Sequence, residues 1–287
     1  MPPGSYDPKA RVKEIAVDGV EAEVLYPSIA LRMFQIADMP YQVACFKAYN
    51  SWLSDFCKVD PNRFKGIGVV PIDDIEAAVG EIHRCRKIGL AGVSISVNPV
   101  DEEGYDNPRF EPLWRAAQDQ GMPVSLHILT ERRSTLKPGM DFIVQQVLDP
   151  GAIQAAFTRM IFSGVFDKFP RLKVVSAEND IGWSGYFVER IDYLFERRKA
   201  FHKWVIKRQP SEFFHEHCYL TFMRDRSGIL VRGIAGVDNI MWSSDYPHLD
   251  STYPKSQQLI ESMMGDIPAA DRRKIVCENA AKLYGFN

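Results

Sequence analysis

The feature that most constrains this chain is a change of period that repeats along its length. Short apolar runs rich in β-branched residues alternate with longer stretches in which apolar residues recur at helical spacing. Runs of the first kind fall at 22–26, 66–70, 92–97, 124–128, 172–177, 218–222 and 240–243, and read as seven strands. Stretches of the second kind fall at 41–57, 74–88, 110–120, 153–169, 183–199 and 255–264, with a closing helix at 269–283 that stops before Gly285. Ile75, Val79 and Ile82, or Phe187, Ile191 and Leu194, show the spacing. Strands that arrive as βα units build a parallel sheet, so the fold class is α/β. Seven of them suit an open doubly wound sheet or a (β/α)8 TIM barrel short of one member. No Gly-rich phosphate loop is present to favour a nucleotide-binding sheet.

The 287 residues, 46% of them hydrophobic, suffice for one barrel domain over 1–287. Thirty-five basic against thirty-seven acidic residues leave a net charge of -2, so no electrostatic footprint points to nucleic acid or an anionic membrane. The expected partner is a small molecule. Residues 1–10 are polar and Pro-containing, with no leader pattern, and no run approaches a membrane span. Cys45, Cys57, Cys85, Cys218 and Cys277 are odd in number and scattered, which fits free thiols in a reducing, cytoplasmic setting.

In a parallel barrel, catalytic groups stand where strands end. Three strands stop on residues with chemical capacity. P-V-S-L-H-I at 123–128 carries His127, whose neutral imidazole can hold a divalent metal or can simply be a hydrogen-bonded strand-end residue. M-W-S-S-D-Y-P-H-L-D at 241–250 runs from a strand into Asp245, which can ligate metal and take a proton or can stabilise a turn. His248 and Asp250 follow within six residues, and that clustering favours function. V-V-S-A-E-N-D-I-G-W at 174–183 supplies Glu178, facing the barrel mouth, and Asp180, expected as the cap of the next helix. The one H-x-H, His215-Glu216-His217, precedes its strand, so it belongs to the opposite rim and is rejected as a metal site. Arg224 and Arg226 follow that strand on the correct face, where a guanidinium can pair with a substrate carboxylate or remain a solvated charge.

Six segments together resemble the amidohydrolase-related family, in its aminocarboxymuconate semialdehyde decarboxylase-like branch. They are D-G-V-E-A-E-V-L-Y-P (18–27), R-F-K-G-I-G-V-V-P (63–71), P-V-S-L-H (123–127), F-P-R-L-K-V-V-S-A-E (169–178), S-S-D-Y-P-H-L-D (243–250) and E-N-A-A-K-L-Y-G (278–285). The resemblance implies a divalent metal, commonly zinc, bound by His127 at the fifth barrel strand and Asp245 at the eighth. Asp245 and Glu178 would be catalytic, with Arg224 and His248 at the substrate. Where the decarboxylases carry a proton-transferring His, this chain has Glu178. The first strand and its H-x-H have no counterpart, so the expectation is a barrel lacking its first βα unit, from a start placed downstream. A homodimer is also implied. The function expected is hydrolysis or non-oxidative decarboxylation of a small unsaturated or aromatic carboxylate, against the alternative of an inactive barrel serving as a scaffold.

Overall fold

A computed structural model describes residues 2–99, 104–130 and 139–286. The strands are β1 (Glu23–Leu25), β2 (Phe64–Val69), β3 (Gly92–Ser96), β4 (Val124–His127), β5 (Val174–Ala177), β6 (Cys218–Phe222) and β7 (Ile240–Trp242). All seven expected strands are present, with ends within two residues of those expected. The helices are α1 (Pro8–Val17), α2 (Met39–Cys57), α3 (Ile75–Lys87), α4 (Glu111–Gln120), α5 (Met140–Leu148), α6 (Pro150–Phe162) and α7 (Val165–Lys168). They continue as α8 (Ser184–Arg198), α9 (Pro210–His217), α10 (Arg226–Ala235), α11 (Ser256–Met264), α12 (Ala269–Arg273) and α13 (Asn279–Tyr284). Local chemistry sets several boundaries. Asp38 and Asp74 accept from the amides of Tyr41 and Ala77 at the starts of α2 and α3, and Gly121, at φ 59°, ends α4.

Two expected helices are interrupted. The stretch 153–169 breaks into α6 and α7 at Gly164, which takes φ 79° and ends the first helix. The closing helix is split by a π-turn, Lys274–Glu278, next to Asn279, whose amide donates to the carbonyls of Val237 and Ile240.

The strands pair in parallel in the order β1-β2-β3-β4-β5-β6-β7. A doubly wound sheet reverses its order at a switch point. This one never does, so every crossover advances the same way around and the sheet curls. The curl is visible in Tyr26, which follows β1: its hydroxyl lies 2.9 Å from Ser125 Oγ on β4. In a flat sheet, strands three places apart stand roughly 14 Å from each other.

Alternation along the strands divides the apolar residues into two populations. Ile67, Val175, Tyr219 and Met241 form an interior cluster with Tyr284, joined by Val24 and Tyr26. Their strand neighbours Val174, Cys218, Leu220 and Ile240 belong to the larger core shared with the surrounding helices, which also holds Phe110, Trp114 and Phe214. Tyr284, from α13, enters the interior, and its hydroxyl meets that of Tyr26 at 2.8 Å. Burial raises the pKa of both phenols, so they serve as neutral hydrogen-bonding groups.

Among the described residues β1 pairs only with β2, and β7 only with β6. Helix α1 spans this seam. Asp18, at its end, accepts from the backbone amide of Ser256 at 2.9 Å and from the Ser256 hydroxyl. Arg11 joins Glu23 on β1 to the carbonyl of Tyr246, beyond β7. The N-terminal stretch, polar and Pro-containing in sequence, is helical from Pro8, with Asp7 accepting from Lys9 N as its cap. Among the described residues no helix is long and apolar enough to cross a membrane. All five cysteines are unpaired.

Candidate metal centre and active site

Three consecutive features of β4 place and orient His127. The strand is fully buried, His127 is its last residue, and Thr130 Oγ1 donates back to the His127 carbonyl at 2.6 Å. The ring's Nδ1 lies 2.8 Å from the Ile128 carbonyl, an acceptor, so Nδ1 carries the proton and Nε2 presents its lone pair. That Nε2 is buried, has no hydrogen-bond partner, and stands 3.1 Å from Glu178 Oε1. A lone pair and a carboxylate oxygen at this distance are reconciled by positive charge between them, a bound cation or a proton on Nε2.

Glu178 and Asp245 reach the same mouth by the same backbone device. Each leaves its strand in a left-handed conformation, with φ 60° and 53°. Such residues cost about 1–2 kcal/mol over an ordinary conformation and concentrate at functional sites. Glu178 N donates to Thr221 Oγ1 on β6, which fixes the first turn. Asp245 is held by the loop behind it, where Tyr246 N donates to Ser244 Oγ and His248 N to the Asp245 carbonyl. His248 Nδ1 lies 3.2 Å from Asp245 Oδ2. Among the described residues, Glu178, Asp245 and His248 are the three that each offer a donor atom within 4.8 Å of the others.

The electrostatics point the same way. Burial lowers the His127 pKa, but the Glu178 carboxylate more than offsets it and the ring ends above its ordinary value. Burial raises Glu178, and the facing His127 outweighs it, so Glu178 titrates below its usual range. Asp245 moves the other way, raised by burial and by the Glu178 charge against the pull of His248. His248 is raised, first by its hydrogen bond to Asp245. Two neighbouring carboxyls whose pKa values move apart, with an imidazole facing them, form a site able to hold positive charge.

The other candidates are sorted by the structure. Arg224 is exposed at the rim, its Nη2 3.5 Å from the Ser251 carbonyl in the loop that follows Asp245. Arg226 is committed elsewhere, paired to Asp266 at 2.6 Å and donating to the Met263 carbonyl. Asp180 does not cap α8: it is exposed at φ 50°, and Trp183 precedes the helix without a side-chain cap. Asp225 instead ties down the turn that leads into α8, accepting from Ile181 N at 2.8 Å and Gly182 N at 2.5 Å while also capping α10 through Gly228 N. Asp225 is recognisable in sequence as a cap before S-G, but its second partner is 44 residues away.

His215 and His217 lie in α9, ahead of β6, and bond to the carbonyls of Ile234 and Leu172. They have no part in the site, in line with the rejection of H-x-H. Burial lowers the His217 pKa below 6.5. A depressed folded pKa means that only the unfolded chain takes up a proton as pH falls through 6.5. The stability His217 contributes is thus present above that pH and lost below it. His217→Gln should accordingly become less costly, relative to wild type, in urea unfolding at pH 5.5 than at pH 7.5. An equal difference at the two pH values would mean that His217 does not titrate on unfolding.

A family model described as amidohydrolase matches residues 34–286. The chain is 28% identical over 289 residues to gamma-resorcylate decarboxylase of Polaromonas sp. strain JS666, covering 96% of this chain and 87% of that enzyme. It is 26% identical over 291 residues to 2-amino-3-carboxymuconate-6-semialdehyde decarboxylase of Dictyostelium discoideum, covering 98% and 77%. Among solved structures, dihydroxybenzoic acid decarboxylase of Polaromonas sp. JS666, with bound manganese and the inhibitor 2-nitroresorcinol, superposes with a TM-score of 0.77 at 26% identity, covering 96% of this chain and 84% of that one.

Proposed function

This chain belongs to the amidohydrolase family, and from that premise we propose that it is a metal-dependent carboxy-lyase that removes carbon dioxide, without oxidation, from an aromatic carboxylic acid. The observation that carries this reading is the buried Nε2 of His127, 3.1 Å from Glu178 Oε1, with a second carboxyl, Asp245, beside Glu178. His127, Glu178 and Asp245 would hold a divalent ion, with His248 next to them. A bound ion there supplies positive charge against the substrate's carboxylate and any neighbouring ring oxygen. With carboxylate oxygens outnumbering imidazole, the donor set suits manganese, which the Polaromonas structure contains, better than the zinc expected from the resemblance. The unpaired edges of β1 and β7 are where an eighth strand stands in a closed (β/α)8 barrel. The free thiols fit a cytoplasmic setting.

The protein's own groups would divide the work between them. Asp245, whose pKa burial and the Glu178 charge raise, would give a proton to the ring carbon that bears the carboxylate. The carbon–carboxylate bond then breaks, its electron pair returns to the ring, and carbon dioxide leaves. Glu178, lowered by the facing His127, supplies the negative charge that raises its neighbour. His248 and Arg224, at the rim, receive the anionic end of the substrate.

The test is carbon dioxide release from 2,6-dihydroxybenzoate and related hydroxybenzoates by the chain loaded with Mn2+, with a chelated control. Release that depends on the metal is expected. Stoichiometric Mn2+ with no release from any aromatic carboxylate would defeat the reaction assignment, and failure to retain any divalent ion would defeat the site itself.

A further inference from the structure

Asp245 stands in a short loop after β7, which ends at Trp242 and among the described residues pairs only with β6. What braces that loop comes from the far end of the sequence. The Arg11 guanidinium of α1 donates through Nε to Glu23 Oε2 at 2.7 Å and through Nη2 to Glu23 Oε1 at 3.1 Å. The same Nη2 donates to the carbonyl of Tyr246, the residue after Asp245, at 2.9 Å. The guanidinium also lies over the Tyr246 ring, 4.5 Å from its centroid, and the Tyr246 hydroxyl donates to Glu14, one turn along α1. Arg11 and Glu23 side chains are only 7% and 8% exposed, so the pair is shielded from solvent and its geometry is fixed by five donors in a rigid fork.

We propose that Arg11 is a positioning residue for the Asp245 carboxyl, acting through the Tyr246 carbonyl and ring while Glu23 anchors the guanidinium to the first strand. The proposal rests on the metal-site reading above. Its chemistry is that of an outer support. A ligand on a left-handed turn, φ 53° at Asp245, keeps its direction only while the loop after it is held; Ser244 and His248 N hold the Asp245–Tyr246 peptide from within, and Arg11 holds the following one from outside, through the Tyr246 carbonyl. Lysine cannot replace it, because one ammonium cannot span two Glu23 oxygens and a carbonyl while lying flat on the Tyr246 ring. Helix α1 provides an internal control at its start, where the Asp7 side chain accepts from Lys9 N at 2.8 Å, away from the Asp245 loop.

The experiment measures Mn2+ dissociation constants from the electron paramagnetic resonance signal of free Mn2+, for the wild type, Arg11→Lys and Asp7→Ala, well below each melting temperature. Arg11→Lys should bind Mn2+ about 10-fold more weakly, the usual cost of losing an outer support. Asp7→Ala, which removes the cap of the same helix at the end away from the Asp245 loop, should bind as the wild type does. Binding by Arg11→Lys within threefold of wild type overturns the proposal, as does an equal loss in Asp7→Ala, which would make Arg11 merely a helix anchor. If Arg11→Lys does not fold, the double variant Arg11→Met with Glu23→Leu removes both buried charges together and must show the same weakening. A wild-type chain that takes up no Mn2+ overturns the metal reading, and the positioning role with it.

Discussion

Asp245→Asn should leave a folded chain whose turnover falls by about 10³-fold, within the range for loss of a proton donor in the reacting complex. Asparagine tolerates the left-handed φ of 53° at this position better than most residues, so the turn survives and the loss is chemical. Three things go at once. The carboxyl that burial and Glu178 raise is gone as a proton donor and as a candidate ligand, and His248 loses the partner 3.2 Å away that raises its pKa. The measurements are carbon dioxide release at saturating Mn2+ and the melting temperature. A melting temperature near wild type with turnover reduced less than 10-fold would remove Asp245 from the chemistry, whatever its part in holding metal.

Asp225→Ala should cost about 3 kcal/mol of stability, the largest expected from a single polar side chain outside the metal site. It strips the acceptor from three backbone amides, those of Ile181, Gly182 and Gly228, and from the Ser227 hydroxyl. A buried donor left unmade costs about 1–3 kcal/mol, and water entering the vacated space recovers part of the sum. Burial would raise the Asp225 pKa, but the Ser227 hydroxyl and the amides outweigh it, so the carboxyl titrates below its usual range. A depressed carboxylate stabilises above its unfolded pKa of about 3.9 and loses that contribution as pH falls through its folded value. The stability gap between wild type and variant, read from urea unfolding, should thus be full at pH 6 and shrink in strong acid. The turn from Glu178 to Gly182 is the one that loses its tie to β6 and α10, so Mn2+ affinity should drop alongside stability. A change below about 1 kcal/mol would mean that water replaces the carboxylate fully.

Why Asp225 escaped a reading of the sequence while His127 did not is a matter of range. His127, Glu178 and Asp245 each announce themselves locally, as a ligating or acidic residue at the end of a buried strand, and the strand-end rule of parallel barrels needs nothing further. The same rule placed His215 and His217 on the wrong rim, where they are found bonded to backbone carbonyls. Tyr26 also ends a strand, yet an aromatic phenol after β1 carries no sign that it will reach Ser125 and Tyr284. Asp180 looked like the cap of α8 because it is the acid nearest the helix start, and only the packing of β6 against β5 brings Asp225 closer to those amides.

The sequence by itself determined the parallel strands, their order of arrival and the three strand ends that carry His127, Glu178 and Asp245, because period and strand termini are properties of a few consecutive residues. Tertiary structure alone decided how the sheet's two free edges are bridged and how the site is braced. Arg11 meets Tyr246 across 235 residues, and Asp18 meets Ser256 across 238. No local pattern encodes such pairs. They exist because a sheet that always winds the same way brings its first strand and the end of its last to the same side of the molecule, and a buried guanidinium there has two acceptors within reach.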